Sequence, residues 1–115
     1  MIIDSCFDTF KDIIKARVPI IGKPIGRLFN KSIESNFYPI ENAYKIKIPK
    51  LFIHGTQDKI IPYERGLNLY EKASQPKNFL KMEQEGHMSI FSNQKSEDID
   101  EVMNFINSLI SRCTE

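Results

Sequence analysis

Asp58 and His87 are the residues of this chain whose types and positions fit chemistry done together. Each follows a short apolar run: Leu51-Phe52-Ile53 leads into His54-Gly55-Thr56-Gln57-Asp58, and Phe79, Leu80 and Met82 lead into Glu85-Gly86-His87. In parallel α/β sheets, groups just beyond the carboxyl ends of the strands converge on one edge, so a carboxylate and an imidazole here would face the same ligand. A carboxylate that accepts the imidazole Nδ1–H fixes the ring's tautomer and stabilises the imidazolium that forms when Nε2 takes a proton from a nucleophile. Taken singly, Asp58 reads as a turn or helix-cap residue and His87 as an ordinary loop residue. His54 is expected to pack at its strand end. Two histidines without companion ligands at metal spacing do not make a metal site.

The elements that must position the pair follow from apolar spacing. Met1-Ile2-Ile3 predicts a strand, with the turn-competent Asp4 and Ser5 behind it. Phe7, Phe10, Ile13 and Ile14 predict a short helix to about Ala16, stopped by Pro19. Residues 18 to 44 read as irregular, punctuated by Pro19, Pro24 and Pro39, with Gly22 and Gly26 loosening them. Leu51 to His54 predicts a parallel strand buried on both faces. Tyr63, Leu67, Tyr70 and Ser74 share a helical face, with Leu69 and Ala73 beside them, which predicts a helix over Tyr63 to Ala73 closed by Pro76. Phe79 to Met82 suits a further strand. Ser96 is an expected N-cap for an amphipathic helix ending near Arg112, with Ile99, Val102, Met103, Ile106, Leu109 and Ile110 on its apolar face and acidic residues in its first turn. Gly55 is expected to permit the tight turn before Asp58, and Gly86 to swing the His87 ring back over the sheet. This order predicts an α/β fold with a parallel sheet and right-handed crossovers.

The bulk numbers exclude more than they assign. The chain has 115 residues, 41% hydrophobic and 27% charged, an ordinary composition for one globular domain or a piece of one. Its net charge of +1, from 16 basic and 15 acidic residues, offers no field to gather nucleic acid. Local runs, basic from Lys11 to Lys31 and acidic from Glu97 to Glu101, read as solvated faces. Cys6 and Cys113 have no ligand or disulfide-framework spacing, and a reducing cytoplasmic location is the expectation. No apolar run reaches the roughly 20 residues of a transmembrane segment.

The stretch His54-Gly55-Thr56-Gln57-Asp58-Lys59-Ile60-Ile61-Pro62 resembles the HGxxDxxVP acid loop of the α/β-hydrolase superfamily, and Gly86-His87 resembles its histidine loop. The order Asp then His matches that family's Ser, Asp/Glu, His. Met1 to Phe10 looks like the strand that follows the nucleophile helix. The nearest subgroup is similar to the Bem46-like or serine aminopeptidase-like hydrolases. The resemblance implies a partial α/β-hydrolase fold, with about three parallel strands, flanking helices and a lid-like excursion. Residues 1–17 would be the strand and helix after the nucleophile elbow, 18–48 the lid-like segment, and 49–115 the acid strand, histidine loop and C-terminal helix. It also implies Asp58 and His87 as catalytic residues, with His54 outside the triad. The expected reaction is hydrolysis of an ester, thioester or amide, which needs side chains and water but no cofactor.

The family nucleophile sits in a G-x-S-x-G elbow, and no such pattern occurs around Gly22, Gly26, Gly55, Gly66 or Gly86. The resemblance places that serine and its oxyanion donors N-terminal to these residues. Because those parts act as a unit, the isolated chain is expected to lack ordinary esterase turnover. Residues 1–3 would then present a bare strand edge, and a separately encoded N-terminal half carrying the nucleophile is the expected partner. A strand that begins at Met1 fits a split, truncated or mis-started gene. The alternatives are a non-catalytic degenerate remnant and a small α/β interaction module.

Overall fold

The computed structural model describes residues 1–9, 39–92 and 95–113. Among these residues three parallel strands form one sheet in the order β1 (Ile2–Asp4), β2 (Lys50–Gly55), β3 (Lys77–Met82). Ile3 stands opposite Phe52, Asp4 opposite Ile53, and Gly55 opposite Met82, so all three strands run out at the same edge. The chain continues there into Ser5, the acid loop and the histidine loop.

The central strand is buried along its whole length, as an apolar run between two neighbours must be. Lys50 opens it with its stem buried and its ammonium donating to the carbonyls of Ile48 (2.9 Å) and Pro76 (3.4 Å). Alternation divides the strand between two cores. Leu51 and Ile53 join Leu80, Met82 and Phe105 on the side covered by α3 (Ser96–Cys113). Phe52 joins Leu69 and Ala73 on the side of α2 (Tyr63–Lys72), together with Ala43 from the 3-10 turn Ala43–Lys45. Leu51 and Ile53 are each 1% exposed, and burial of such a side chain stabilises by about 1.5–3 kcal/mol.

The helices sit where the spacing put them, but two are rotated from the predicted faces. On α2 the buried residues are Gly66 and Leu69, followed by Ala73, because the glycine lets the helix lie directly on His54. Tyr63 and Tyr70 lie at the flank in an edge-on aromatic cluster, with Phe79 5.9 Å from Tyr63 and 5.1 Å from Tyr70. On α3 the sheet takes the Val102, Phe105 and Leu109 flank of a wide apolar stripe. Ile99, Met103 and Ile110 stay 43%, 48% and 58% exposed.

The segment read as irregular ends in helix: α1 (Pro39–Asn42) and the 3-10 turn after it form where Pro39 was expected only to punctuate. Proline suits the first turn of a helix, where its missing N–H has no intrahelical partner to lose. Residues 7–9 are not helical, and the remainder of the helix expected to Ala16 and of the lid-like segment lies outside the described residues.

Candidate active site

Asp58 and His87 come together at the carboxyl edge of the sheet. The Nδ1 of His87 lies 2.8 Å from Oδ2 of Asp58, although the two are 29 positions apart. A carboxylate oxygen only accepts, so Nδ1 carries the hydrogen and the Nε2 lone pair is left to take a proton. The Asp58 side chain is 0% exposed, whereas that of His87 is 24% exposed. The carboxylate is therefore sealed and the imidazole reaches the surface.

A buried carboxylate needs its lone pairs satisfied, and the acid loop does this with its own backbone. Oδ1 accepts the N–H of Ile60 at 2.7 Å and of Ile61 at 2.8 Å, which closes the loop around the side chain. His54 supports the same loop from below. Its ring is 1% exposed, and Nε2 donates to the Ile61 carbonyl at 2.9 Å with Asp58 Oδ2 a further neighbour at 3.4 Å. The closer carbonyl takes the hydrogen, so the buried His54 ring braces the acid loop through Ile61.

The glycines act differently from the sequence expectation. Neither Gly55 nor Gly86 has positive φ; the left-handed residues among those described are Ser5 (φ 49°), Gln84 (φ 62°) and Met88 (φ 52°). Gly55 matters for space, since a Cβ there would lie 2.3 Å from the carbonyl oxygens of both Glu85 and Gly86. Its missing side chain lets the histidine loop close onto the acid loop. Backbone bonds then fasten the two, with Gln57 N–H donating to the Glu85 carbonyl (2.8 Å) and Gln84 N–H to the Thr56 hydroxyl (2.8 Å). The turn that carries the His87 ring outward is made at Gln84 and Met88.

Asp4 at the end of β1, with Ser5 and Asp8 after it, belongs to this edge, although sequence reasoning gave Asp4 and Ser5 only a turn and Asp8 no role. Ser5 is 3% exposed; its hydroxyl donates to Asp4 Oδ1 (2.9 Å) and accepts the Met88 N–H (2.9 Å). The other oxygen of Asp4 is buried without a hydrogen-bond partner among the described residues, and that burial pushes its carboxyl above the usual range against the pull of Ser5, His54 and His87. Asp8, 1% exposed, accepts from Asn68 Nδ2 (2.7 Å) and Arg65 (3.3 Å), tying the segment after β1 to α2. The rule that singled out Asp58 and His87, polar residues just past a strand, applies equally to Asp4 and Ser5.

The family of proteins described as serine hydrolase (FSH1) matches residues 3–105. The chain belongs to that serine hydrolase family. Its sequence is 31% identical over 112 residues to the uncharacterized protein YfhR of Escherichia coli O157:H7, a match covering 96% of this chain and 37% of YfhR. Over 54 residues it is 39% identical to human alpha/beta hydrolase domain-containing protein 17B, covering 47% of this chain and 19% of that protein. Among solved structures, the meta-cleavage product hydrolase of Pseudomonas fluorescens IP01 aligns with a TM-score of 0.56 at 18% identity, covering 82% of this chain and 35% of that one. The serine hydrolase CarC, involved in carbazole degradation, aligns with a TM-score of 0.55 at 15% identity, covering 90% and 42%. The three-stranded sheet is thus part of an α/β-hydrolase fold. This serine hydrolase chain spans about a third of the length of YfhR. Among its described residues no helix is long and apolar enough to cross a membrane. An apolar cavity of about 300 Å³ opens on the α2 side, lined by Ile3, Phe52, Leu69 and Ala73 among others, with neither Asp58 nor His87 in its wall.

Proposed function

We propose that this chain supplies the acid and the base of a serine hydrolase triad, Asp58 and His87, to a nucleophile outside these 115 residues. The observation that carries the reading is the 2.8 Å bond from His87 to a fully buried Asp58 at the carboxyl edge of a parallel sheet. In the reaction, His87 Nε2 takes the serine proton as the serine oxygen bonds to the acyl carbon, and the carbonyl electron pair moves onto oxygen. The imidazolium, held by Asp58, then gives that proton to the leaving alcohol, thiol or amine as the tetrahedral species collapses; water repeats the cycle to release the acid. The substrate class is an ester, thioester or amide. Kinship to the Bem46-like or serine aminopeptidase-like hydrolases, a cytoplasmic location, and an N-terminal half as partner belong to this same reading. So does the division into a post-elbow segment (1–17), a lid-like segment (18–48) and an acid-and-histidine segment (49–115).

A second reading is favoured by the outer edge of β1, where Ile2 is 44% exposed and no described strand pairs on that side. Under it the chain is a non-catalytic remnant or interaction module using that edge. One experiment separates the two. The chain is assayed for labelling by a fluorophosphonate probe alone, then together with a separately supplied segment that carries a G-x-S-x-G elbow. The expected result is no labelling alone and labelling of the added segment when both are present, reduced at least about 10³-fold in rate by His87→Ala. Labelling of this chain alone, or labelling indifferent to His87→Ala, overturns the triad reading.

A further inference from the structure

We propose that Ser5 is a positioning residue for His87: its hydroxyl, oriented by Asp4, latches the backbone just after the histidine and holds the imidazole against Asp58. The inference rests on the triad reading above and adds to it a residue 83 positions away in sequence from the loop it controls.

Hydrogen-bond direction fixes how the latch works. The Met88 N–H can only donate, so the Ser5 oxygen accepts it, at 2.9 Å. The Ser5 hydrogen must then go elsewhere, and Asp4 Oδ1 receives it at 2.9 Å. Ser5 N–H meanwhile donates to the Ile53 carbonyl at 2.9 Å, carrying the sheet ladder one residue past β1. Every polar group of the latch that can donate is therefore committed, in a place 3% exposed.

The backbone is bent to make this contact. Ser5 takes a left-handed φ of 49°, and Met88, at the other end of the bond, takes φ 52° and ψ 34° where the 3-10 turn Ser89–Phe91 begins. Neither is glycine, and non-glycine residues hold such conformations when the surroundings over-determine them. The amino-terminal side of the histidine loop is already fastened to the acid loop through Thr56 and Gln57. Ser5 fastens its carboxyl-terminal side to β1. His87 is thus held between two anchors belonging to different strands, with its ring edge kept clear of both.

The test uses nuclear magnetic resonance on the 115-residue chain, reading the His87 Nδ1 proton bonded to Asp58 and the exchange rate of the Met88 amide. Ser5→Ala removes the hydroxyl; Ser5→Gly removes it while taking the left-handed backbone without cost, so a folded variant without the latch is available. In both, the Met88 amide is expected to exchange about tenfold faster, as loss of one hydrogen bond implies, and the His87 Nδ1 signal to broaden or vanish while the Leu51 and Ile53 amides stay protected. Asp4→Asn, which keeps an oxygen for the Ser5 hydrogen, is expected to retain the His87 signal. A signal unchanged in both Ser5 variants overturns the latch and leaves the Asp58–His87 pair standing. Absence of the Nδ1 signal from the unsubstituted chain overturns the pair, and the latch with it.

Discussion

Asp58 sits in a corner with no room to move, its carboxylate 0% exposed and closed in by its own loop, by His54 beneath and by the histidine loop pressed onto Gly55. His87, 2.8 Å away, rides on a partly exposed loop whose backbone is held by a handful of hydrogen bonds and whose neighbouring glycine would put a Cβ no closer than 3.7 Å to Ser89 Oγ, an ordinary contact. Asp58 is held by close packing and by the backbone of its own loop, His87 by hydrogen bonds that reach its loop from other segments. The difference suits the proposed chemistry. An orienting carboxylate works best when it is immobile and shielded from water, while an imidazole that passes protons must keep one nitrogen accessible.

The three glycines of this edge give direct ways to break that comparison. Gly55→Ala is expected to have the largest effect, because the new Cβ meets two backbone carbonyl oxygens at 2.3 Å and neither is the end of a flexible side chain. A loss of about 3–5 kcal/mol in urea unfolding is expected; a loss under about 1 kcal/mol would mean that the histidine loop yields and the corner is not tight. Gly66→Ala comes next, since its Cβ would lie 2.1 Å from the His54 ring and push it off the Ile61 carbonyl. A cost of about 2–3 kcal/mol is expected, typical of overpacking. A cycle with His54→Ala should show coupling of at least about 1 kcal/mol, since the double variant no longer has the clash. Gly86→Ala is the smallest: its nearest neighbour is Ser89 Oγ at 3.7 Å and its φ is not positive, so stability should change by no more than about 0.5 kcal/mol. A large loss there would show the histidine loop to be as closely packed as the acid corner.

Much of the edge was legible because it is encoded locally. The apolar run at Leu51 to Ile53 and the helical spacing after Pro62 are short-range patterns, and each element formed within about two residues of its predicted place. Asp58 and His87 stood out because each immediately follows such a run. The buried face of α3 was less legible. Its stripe is wide enough to serve two orientations, and only the sheet, by taking Phe105 rather than Met103, chose between them.

By itself the sequence determined the strand and helix order from β2 to α3, the acid loop and histidine loop, and hence the α/β-hydrolase kinship. Periodicity and a contiguous motif need no knowledge of what lies across the fold. Tertiary structure alone decided that Gly55 is required for closeness rather than for a turn, that His54 braces the acid loop, and that Ser5 reaches Met88. Each of those is a contact between segments that meet only through the register of β1, β2 and β3, and no local pattern in the chain announces it.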